Sequence, residues 1–352
     1  MPNKLHRMQL PREVIVGDKT LELVSDICEK LGFSDSAFVI TGPNTYKIAG
    51  KKAEKLLADA GVNTNHLIVS SSTMWEVRAA EERIEEAKPQ VVFGIGGGTK
   101  IDVAKLSSAR QGVPFISVPT TASHDGIASP VASIKGLSKP YSIMAQAPMA
   151  IIADTSIIVQ ASHRLVASGC GDVVSKFTSV NDWKLAHDLK NEYYGDYAAS
   201  LALMSAMLVV RNAEIIKPGV EEGVRVVLEA LISCGVATSI AGSSRPCSGS
   251  AHLFSHALDV IAPSPAMHGE QCGVGAVMMA CLHELNWKQI RATLQKVGAP
   301  TTAEELRIES EFVIQALVEA QSIRPERYTI LEEKKLNHES AEGLARVTGV
   351  IE

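Results

Sequence analysis

Short apolar runs alternate with longer amphipathic stretches over the first 155 residues. Six runs rich in Val and Ile are typical of buried strands: 13–16, 37–41, 66–70, 90–95, 115–118 and 150–153. Four stretches between them have helical length and spacing: 19–31, 45–60, 75–88 and 100–110. Strands that alternate with helices predict right-handed βαβ units, and therefore an α/β fold with a doubly wound, Rossmann-like parallel sheet.

The pattern changes after about Ile158. Strand-like runs become rare, and helical stretches follow at 165–178, 191–216, 220–241, 250–261, 273–285 and 288–297. The segment 304–352 is also helical in composition, with a break near Pro325. We therefore predict two domains, an α/β domain over residues 1–158 and an all-helical domain over residues 159–352.

Composition and charge exclude several classes of protein. The 352 residues suit two domains of ordinary size, and a net charge of −5 lacks the basic surface of a nucleic-acid-binding protein. The longest apolar stretch that we identify, 198–210, is shorter than the roughly 20 residues of a membrane span. The N-terminus contains no apolar segment typical of a signal peptide. Six cysteines without a C-x-x-C pair favour buried free thiols in a reducing cytoplasm.

A glycine-rich turn separates the predicted strand at 90–95 from the helix at 100–110. Gly94, Gly96, Gly97 and Gly98 let the backbone turn sharply and approach a ligand closely. The N-terminus of the following helix offers N–H groups to a phosphate. The G-x-G-x-x-G fingerprint is incomplete because position 99 is Thr, so a glycine turn without a ligand remains an alternative.

A second polar turn follows the predicted strand at 115–118. Residues 120–129 contain six Ser, Thr, His or Asp side chains. The carboxyl ends of parallel strands are where α/β sheets bind ligands, so we expect this turn to join the glycine turn in one site. Such residues also stabilise loops that bind nothing, and that alternative stays open.

Histidines and a carboxylate in the second half have spacings that suit a metal ion. His252 and His256 are four residues apart, so on a helix they share one face. Zn²⁺ binds His nitrogens and carboxylate oxygens, and a catalytic site keeps one position open. Asp172, one histidine of the pair and His268 would supply three ligands. Spacing alone does not distinguish this site from a histidine pair on a helix surface or in the core.

Five segments together resemble the polyol dehydrogenase branch of the iron-containing alcohol dehydrogenase superfamily, and within it the archaeal-type sn-glycerol-1-phosphate dehydrogenases. They are GIGGGTKIDVAK, VPTTASHDGIAS, GCGDVVSK, GSAHLFSHALD and MHGEQCGVG, and the resemblance extends over about residues 10–350. It implies a dehydroquinate synthase-like architecture, with an N-terminal dinucleotide-binding domain, an all-α C-terminal domain and an active site in the cleft between them.

The resemblance also implies roles for individual residues. A catalytic Zn²⁺ would be held by Asp172, His252 and His268. Asp125, Asp172 and His256 would contact the substrate, and Asp125 and His256 would take part in catalysis. Two groups of residues would contact NAD(H) or NADP(H). The first lies in the glycine turn and consists of Gly96, Gly97, Gly98, Thr99, Lys100, Ile101 and Asp102. The second lies in the second polar turn and consists of Pro119, Thr120, Thr121, Ala122, Ser123 and Ser129.

Two positions refine these expectations. Lys176 lies four residues after Asp172, where the superfamily's iron enzymes have a further His ligand, and this favours a three-ligand zinc site. The predicted strand at 37–41 is followed by Gly42, Pro43 and Asn44, without a carboxylate to hold the ribose 2′-OH and repel a 2′-phosphate. We therefore expect both NADH and NADPH to serve.

The implied activity is reversible hydride transfer between sn-glycerol 1-phosphate and NAD(P)⁺, which gives dihydroxyacetone phosphate, in the synthesis of ether-lipid backbones. The alternatives are a glycerol dehydrogenase and a sugar-phosphate cyclase resembling 3-dehydroquinate synthase. Four basic residues are candidates for binding the substrate phosphate: Lys135, Lys139, Lys176 and Arg245. His256, or a water ordered by Asp125, would relay the proton. We expect a cytoplasmic homo-oligomer that acts on a small molecule, with no nucleic-acid or membrane partner.

Overall fold

The first half of the chain forms a parallel β-sheet in the computed structural model, which describes residue 6 and residues 8–135 and 141–352. The strands are β1 (Glu13–Gly17), β2 (Ser36–Thr41), β3 (Asn63–Ile68), β4 (Val91–Gly96), β5 (Phe115–Pro119), β6 (Val131–Ile134), β7 (Tyr141–Met144) and β8 (Ala150–Asp154). Strands β6 and β7 pair as an antiparallel hairpin, and the other six form the sheet.

The sheet order is β1-β8-β5-β4-β2-β3, and every neighbouring pair is parallel. The chain runs from β2 outward to β3 and then returns to β4 on the other side of β2, so the strand order reverses between β2 and β4. Ligands bind beyond the carboxyl ends of strands at such a reversal. The predicted doubly wound sheet is confirmed, and the glycine turn follows a strand at this point.

Helices cover the sheet and, with the loops between them, make up the rest of the described chain. Those before β8 are α1 (Val24–Leu31), α2 (Pro43–Thr45), α3 (Lys51–Asp59), α4 (Met74–Ala87) and α5 (Gly98–Arg110). Those after β8 are α6 (Thr155–Ile158), α7 (His163–Val174), α8 (Lys176–Lys190), α9 (Asp196–Asn212), α10 (Glu221–Ala241), α11 (Ser250–Ile261), α12 (His268–Leu282), α13 (Trp287–Val297), α14 (Ala303–Leu306), α15 (Ser310–Ile323), α16 (Ile330–Lys334) and α17 (His338–Val347).

Two hydrophobic clusters cover opposite faces of the sheet, because alternate side chains of a strand point to opposite sides. Val39 and Phe93 belong to the smaller cluster, beneath α1 and α3. Phe38 and Val92 belong to the larger cluster, which continues through the helical half as far as Ile351. The predicted boundary after residue 158 coincides with the end of α6 and stays a prediction, since one hydrophobic core extends across it.

Three segments differ from the sequence prediction. The helix predicted at 165–178 is two helices, because α7 ends at Val174 and α8 runs from Lys176 to Lys190. The segment 191–195 is not helical, since Asn191 adopts a left-handed conformation (φ 54°) that ends α8. The β6–β7 hairpin was not predicted, because β6 alternates between buried and more exposed positions and so lacks the continuous apolar run of a sheet strand.

Helix α10 is long and apolar enough to cross a membrane, but 72% of its most apolar window is buried inside the protein. It approaches the turn after β5 closely, since a Cβ on Gly235 would lie 2.5 Å from the backbone nitrogen of Ser129. In the sequence, α10 does not stand out as a longer apolar stretch than 198–210, because residues such as Glu229 and Ser233 interrupt its apolar run. Its burial is that of a core helix.

Candidate active site

A cleft of about 860 Å³ lies beyond the carboxyl edge of the sheet. One wall, which we call the sheet wall, is lined by residues between 97 and 102, in the glycine turn and the start of α5. It is also lined by residues between 120 and 135, in the polar turn that follows β5 and in strand β6. The other wall, the helical wall, consists of lining residues between 164 and 172 and between 238 and 269, from α7, α10, α11, α12 and the loops beside them. The cleft thus contains groups from both halves of the sequence.

Backbone geometry shapes the glycine turn. Gly96 has a φ of +153°, which side chains rarely adopt, and α5 begins immediately afterwards at Gly98. A Cβ on Gly98 would lie 1.7 Å from Nε2 of His124, so only glycine fits beneath that ring. Five of the predicted cofactor residues line the cleft: Gly97, Gly98, Thr99, Lys100 and Asp102. Ile101 is buried in the hydrophobic core, so its side chain points away from any cofactor.

The polar turn after β5 is attached to the glycine turn, since the Thr120 N–H donates to Gly96 O at 3.0 Å. Five predicted residues of this turn line the cleft: Thr120, Thr121, Ser123, Asp125 and Ser129. Pro119 is the last residue of β5, and Ala122 is buried. A cofactor contact at either of these two would have to come from the backbone.

Two residues of this region had no role in the sequence analysis. The His124 ring lies against Gly98 and Gly126, and its Nδ1 accepts the Gly126 N–H at 3.0 Å. Lys105 is fully buried in α5, and its Nζ donates to Gly126 O at 2.6 Å and to Val131 O at 2.7 Å. Burial lowers the pKa of Lys105, and nearby Asp102 opposes that shift. Lys105 thereby connects the glycine-turn helix with the polar turn and the hairpin.

Close backbone contacts bring the two walls together. A Cβ on Gly169 would lie 2.1 Å from the carbonyl oxygen of Ala122, so the polar turn lies directly on α7. A Cβ on Gly171 would lie 2.1 Å from the carbonyl oxygen of Gly269, so α7 and α12 also touch through their backbones. These contacts place Asp172 beside the start of α12, where His268 lies.

Three histidines and Asp172 meet on the helical wall. The ring centroids of His252 and His268 are 5.1 Å apart, and those of His256 and His268 are 5.6 Å apart. Nε2 of His252 lies 3.4 Å from Oδ1 of Asp172. With the Asp125 N–H 2.9 Å from Oδ2 of Asp172, the structure brings together all five residues of the predicted metal and substrate sites, although Asp172 and His252 are 80 positions apart in the sequence.

The ligand set itself has alternatives. Two groups of described residues have possible ligand atoms within 4.8 Å of one another, His252, His268 and Cys272 in one, and His256, Asp259 and His268 in the other. Asp172 belongs to neither group, and its two oxygens already have partners: Lys176 Nζ donates to Oδ1 at 2.6 Å and the Asp125 N–H donates to Oδ2 at 2.9 Å. The set Asp172, His252 and His268 therefore stays a prediction.

Burial and neighbouring charges set the protonation of these groups. Burial lowers the pKa of His252 to about 3 and that of His268 to about 4, so both imidazoles are neutral near neutral pH. Burial alone would raise the pKa of Asp172, but Lys176 and the histidines outweigh it and hold that pKa well below its usual range. Neutral imidazoles and an ionised carboxylate are the forms that bind a metal cation.

Lys176 lies beneath the cleft between two carboxylates. It is fully buried, and its Nζ is 3.0 Å from Oδ2 of Asp125 as well as 2.6 Å from Oδ1 of Asp172. Burial would lower the pKa of Lys176, but the two aspartates raise it well above its usual range. Two of the three N–H donors of this ammonium therefore face carboxylates, and its charge is already balanced by them.

A further group, which sequence reasoning missed, supports His268. Nδ1 of His268 lies 3.0 Å from Oγ of Ser255, and Gln271 Nε2 donates to the same hydroxyl at 3.1 Å. Gln271 also donates to Asp259 at 3.0 Å. With Nδ1 occupied, Nε2 of His268 is the nitrogen left for a ligand, and such supporting contacts fix the orientation of a metal-binding imidazole. Only the fold brings these residues together, so the sequence carried no signal for them.

The other candidate phosphate ligands have different surroundings. Arg245 is buried and forms an ion pair with Glu192, and its Nη1 donates to Tyr328 O at 2.9 Å. Lys135 is exposed and lines the cleft from the end of β6. Lys139 lies outside the described residues.

A smaller cavity of about 270 Å³ adjoins the end of β2. Its lining consists of Gly42, Pro43, Asn44, Thr45, Ser70 and Lys100. The Lys100 side chain lies over Gly42, where a Cβ would be 2.4 Å from Cε of the lysine. This lining contains an ammonium and no carboxylate, as the sequence of the β2 end suggested.

Comparison with known proteins extends over the whole chain. Residues 15–162 match the iron-containing alcohol dehydrogenase family. Over 347 residues, 99% of its length, the chain is 54% identical to the entire "Glycerol-1-phosphate dehydrogenase [NAD(P)+]" of Pyrococcus furiosus. It is 53% identical over 349 residues to the protein of the same name from Methanosarcina mazei, a match that covers 99% of this chain and 98% of that protein.

Solved structures share the fold at lower sequence identity. Glycerol dehydrogenase from Schizosaccharomyces pombe superposes with a TM-score of 0.79 at 21% identity, over 98% of this chain and 90% of that one. A probable glycerol dehydrogenase from Sinorhizobium meliloti 1021 gives a TM-score of 0.77 at 18% identity, over 99% of this chain and all of that one. These structures confirm the predicted two-part architecture.

Proposed function

The chain belongs to the glycerol-1-phosphate dehydrogenase family, and on that premise we propose that it interconverts sn-glycerol 1-phosphate and dihydroxyacetone phosphate. The observation that carries this is 54% identity to an NAD(P)⁺-dependent enzyme of that name over 99% of the chain. The electron carrier is a nicotinamide cofactor. In the reducing direction, NAD(P)H transfers a hydride to C2 of the ketone and a proton is added to its oxygen.

The sheet wall would bind the cofactor. The first turn of α5 has N–H groups without helical partners, which suit a diphosphate. Hydroxyls of Thr120, Thr121 and Ser129 face the same space. Holding the nicotinamide in one orientation against C2 removes much of the entropic barrier to hydride transfer. The cavity beside Lys100 and Asn44 would take the ribose with or without a 2′-phosphate, so both NADH and NADPH should serve.

The helical wall would hold a divalent cation, and we assign Zn²⁺ to Asp172, His252 and His268. These residues fit a cation because two buried imidazoles are neutral and the carboxylate is ionised. The buried Nδ1 of His252 has no hydrogen-bond partner among the described residues, so this ring is not fully satisfied by the protein. When bound, the ion would act as a Lewis acid on the C2 oxygen of the substrate.

His256 is our choice for the proton donor. Its Nδ1 is buried without a hydrogen-bond partner among the described residues, 3.8 Å from Oδ2 of Asp259. The Asp259 side chain is 30% exposed, so a proton can pass between solvent and His256 through this carboxylate. Asp125 is the less suitable relay because Lys176 holds its carboxylate at 3.0 Å.

Three further expectations accompany this activity. The product would supply the glycerophosphate backbone of ether lipids. A homo-oligomer is supported by Tyr197 and Met204, which lie on one face of α9 and are 70% and 62% exposed. A reducing cytoplasm is supported by six free cysteines, five of them buried.

The test is oxidation of NADH and of NADPH with dihydroxyacetone phosphate, compared with dihydroxyacetone, followed by analysis of the product enantiomer. We expect a strong preference for the phosphorylated ketone and sn-glycerol 1-phosphate as product. Preference for dihydroxyacetone would identify a glycerol dehydrogenase instead. A sugar-phosphate cyclase would leave no net change in NADH.

A further inference from the structure

We propose that Ser244 and Ser248, in the serine loop between α10 and α11 (residues 243–248), bind the phosphate group of the substrate. This inference rests on the proposed function, which requires a site for a phosphate dianion. Of the basic residues chosen from the sequence, Lys176 and Arg245 are already paired with carboxylates, and Lys135 lies on the sheet wall of the cleft, in the half of the chain opposite the histidines.

The serine loop reaches the cleft beside the catalytic histidines. Ser244, Cys247 and Ser248 line the cleft together with His252. The loop turns tightly, since the N–H groups of Cys247 and Ser248 donate to Ser244 O at 3.1 and 2.8 Å. Ser248 comes directly before Gly249, the N-cap residue of α11, and so lies beside the helix end that carries His252 in its first turn. A three-carbon substrate with its C2 oxygen near the histidines would then have its phosphate near this loop.

Arg327 supports the serine loop from behind. Its Nη1 donates to Ser248 O, and its Nη2 donates to Ser244 Oγ at 2.9 Å. Within the described part of the chain, no carboxylate lies within 4.0 Å of its guanidinium. Partial burial, together with Arg324 and Arg245, lowers the pKa of Arg327 to about 9, although Glu192 and Glu326 oppose that shift. A guanidinium held among other positive charges and largely removed from water favours a nearby anion.

Both serine hydroxyls can donate to that anion. Oγ of Ser244 accepts a hydrogen bond from Arg327, and no acceptor for its own O–H is found among the described residues. Oγ of Ser248 makes no hydrogen bond in the same part of the structure. The two side chains are half-buried at the cleft surface. A phosphate here would receive two O–H donors, backed by the positive charge of Arg327.

Two other arginines of the helical half are paired with carboxylates. The guanidinium of Arg164, which also lines the cleft, is bound to buried Glu270 at 2.6 and 2.8 Å. Arg245 is bound to Glu192.

Arg307 lines the cleft and is exposed, but no hydrogen bond between it and the serine loop is found among the described residues. Arg327 contacts the serine loop directly, and Glu192 and Glu326 act on its charge only from beyond 4.0 Å.

The test measures kcat/KM for dihydroxyacetone phosphate and for dihydroxyacetone, with NADH and NADPH, in wild type, Arg327→Gln and the double variant Ser244→Ala/Ser248→Ala. We expect the ratio of the two substrates' kcat/KM to fall by about ten- to hundredfold in both variants, the effect of losing hydrogen bonds to a charged group. Inorganic phosphate should compete with dihydroxyacetone phosphate in wild type and compete about tenfold less well in the variants.

Two control variants separate this effect from loss of structure. Arg291→Gln removes a guanidinium that donates two hydrogen bonds, as that of Arg327 does, but to the carbonyls of Thr348 and Gly349 and away from the cleft. Ser243→Ala changes the neighbouring serine, which is also outside the lining. Both should keep the wild-type ratio.

The outcomes distinguish the inference from the proposed function. Wild type that prefers the phosphorylated ketone, with a double variant that keeps the same preference, would overturn the serine-loop site alone. A fall in kcat/KM that occurs with NADPH but not with NADH, and equally for both ketones, would assign the serine loop to the cofactor. That result would also overturn the serine-loop site. Wild type without any preference for the phosphorylated ketone would overturn the proposed function, and this inference with it.

Discussion

The two walls of the cleft present different kinds of groups to a ligand. The sheet wall offers mainly glycine backbone, N–H groups and hydroxyls. Its lining also contains Lys100, Asp125 and Lys135, whereas Asp102 and the buried Lys105 behind it are bonded to each other and to the backbone. The helical wall offers buried ionisable side chains, among them Asp172, His252 and His256. One wall is suited to holding a large polar molecule, and the other to acting on a small one.

This difference explains how easily each wall can be recognised. A backbone site needs a strand, a glycine turn and a helix that are consecutive in sequence, so a local pattern indicates it. A side-chain site is assembled from separate helices, since Asp172 lies on α7, His252 on α11 and His268 on α12. No local pattern specifies it, and close backbone contacts such as that of Gly169 with Ala122 are what bring the walls into register.

Removal of a proposed metal ligand should have the largest effect. His268→Ala should deplete the metal and lower kcat by about three orders of magnitude or more, because Lewis-acid stabilisation contributes several kcal/mol. Elemental analysis and steady-state kinetics check this. NADH binding to the sheet wall should remain near wild type, and full activity in metal-stripped wild type would contradict the assignment.

Removal of the proposed proton donor should have the next largest effect. His256→Ala should lower kcat by about a hundredfold or more, the usual contribution of general acid catalysis. Asp259→Asn should lower kcat less, because solvent can still reach His256. Measurement of kcat for both variants checks the relay. Equal kcat in wild type and His256→Ala would return the role to a water near Asp125.

Cofactor choice tests the sheet wall. Because the cavity beside Asn44 and Lys100 contains no carboxylate, kcat/KM for NADH and NADPH should agree within about two orders of magnitude. Lys100→Ala should shift the ratio toward NADH, because it removes the positive charge from this cavity. A preference for NADH above about a thousandfold in wild type would refute this account of the ribose site.

A substitution that disturbs the backbone contact between the walls should have the smallest effect, and that effect should be on the free energy of unfolding. Gly169→Ala places a Cβ 2.1 Å from Ala122 O and should cost about 1–3 kcal/mol of unfolding free energy. Gly343→Ala is the matched control, since an exposed Cβ there meets nothing within 4 Å and alanine favours a helix by up to about 1 kcal/mol. Thermal unfolding of both variants checks the pair. Equal stability would mean that the polar turn does not depend on Gly169.

Much of the fold could be predicted from the sequence. Six apolar runs indicated the six sheet strands, and most helices began within a few residues of their predicted positions. The β6–β7 hairpin could not be predicted, because short strands with alternating burial resemble a loop. The α7–α8 break at Ser175 was hidden because Val174, Ser175 and Lys176 contain no helix-breaking residue.

The candidate site was predictable only in part. The glycine turn was visible as a pattern, whereas the identity of the metal set came from a family resemblance. Some roles depend on hydrogen-bond partners 13 to 83 positions away, which only the fold brings into contact; this holds for Lys105, Ser255 and Arg327. The partner of His124 is close in sequence, but the bond requires the local turn geometry. Lys176 was noticed for its position, but its ion pairs with Asp125 and Asp172 depend on the tertiary structure.

The most direct test of the division between the walls measures metal content and NADH binding on the same purified samples of His252→Ala and His256→Ala. Both imidazoles lie on one face of α11, so spacing does not separate their roles. The account predicts that His252→Ala is depleted of zinc, that His256→Ala retains close to one zinc per chain, and that both bind NADH as wild type does. A His256→Ala protein without zinc, beside a His252→Ala protein that retains it, would contradict the account.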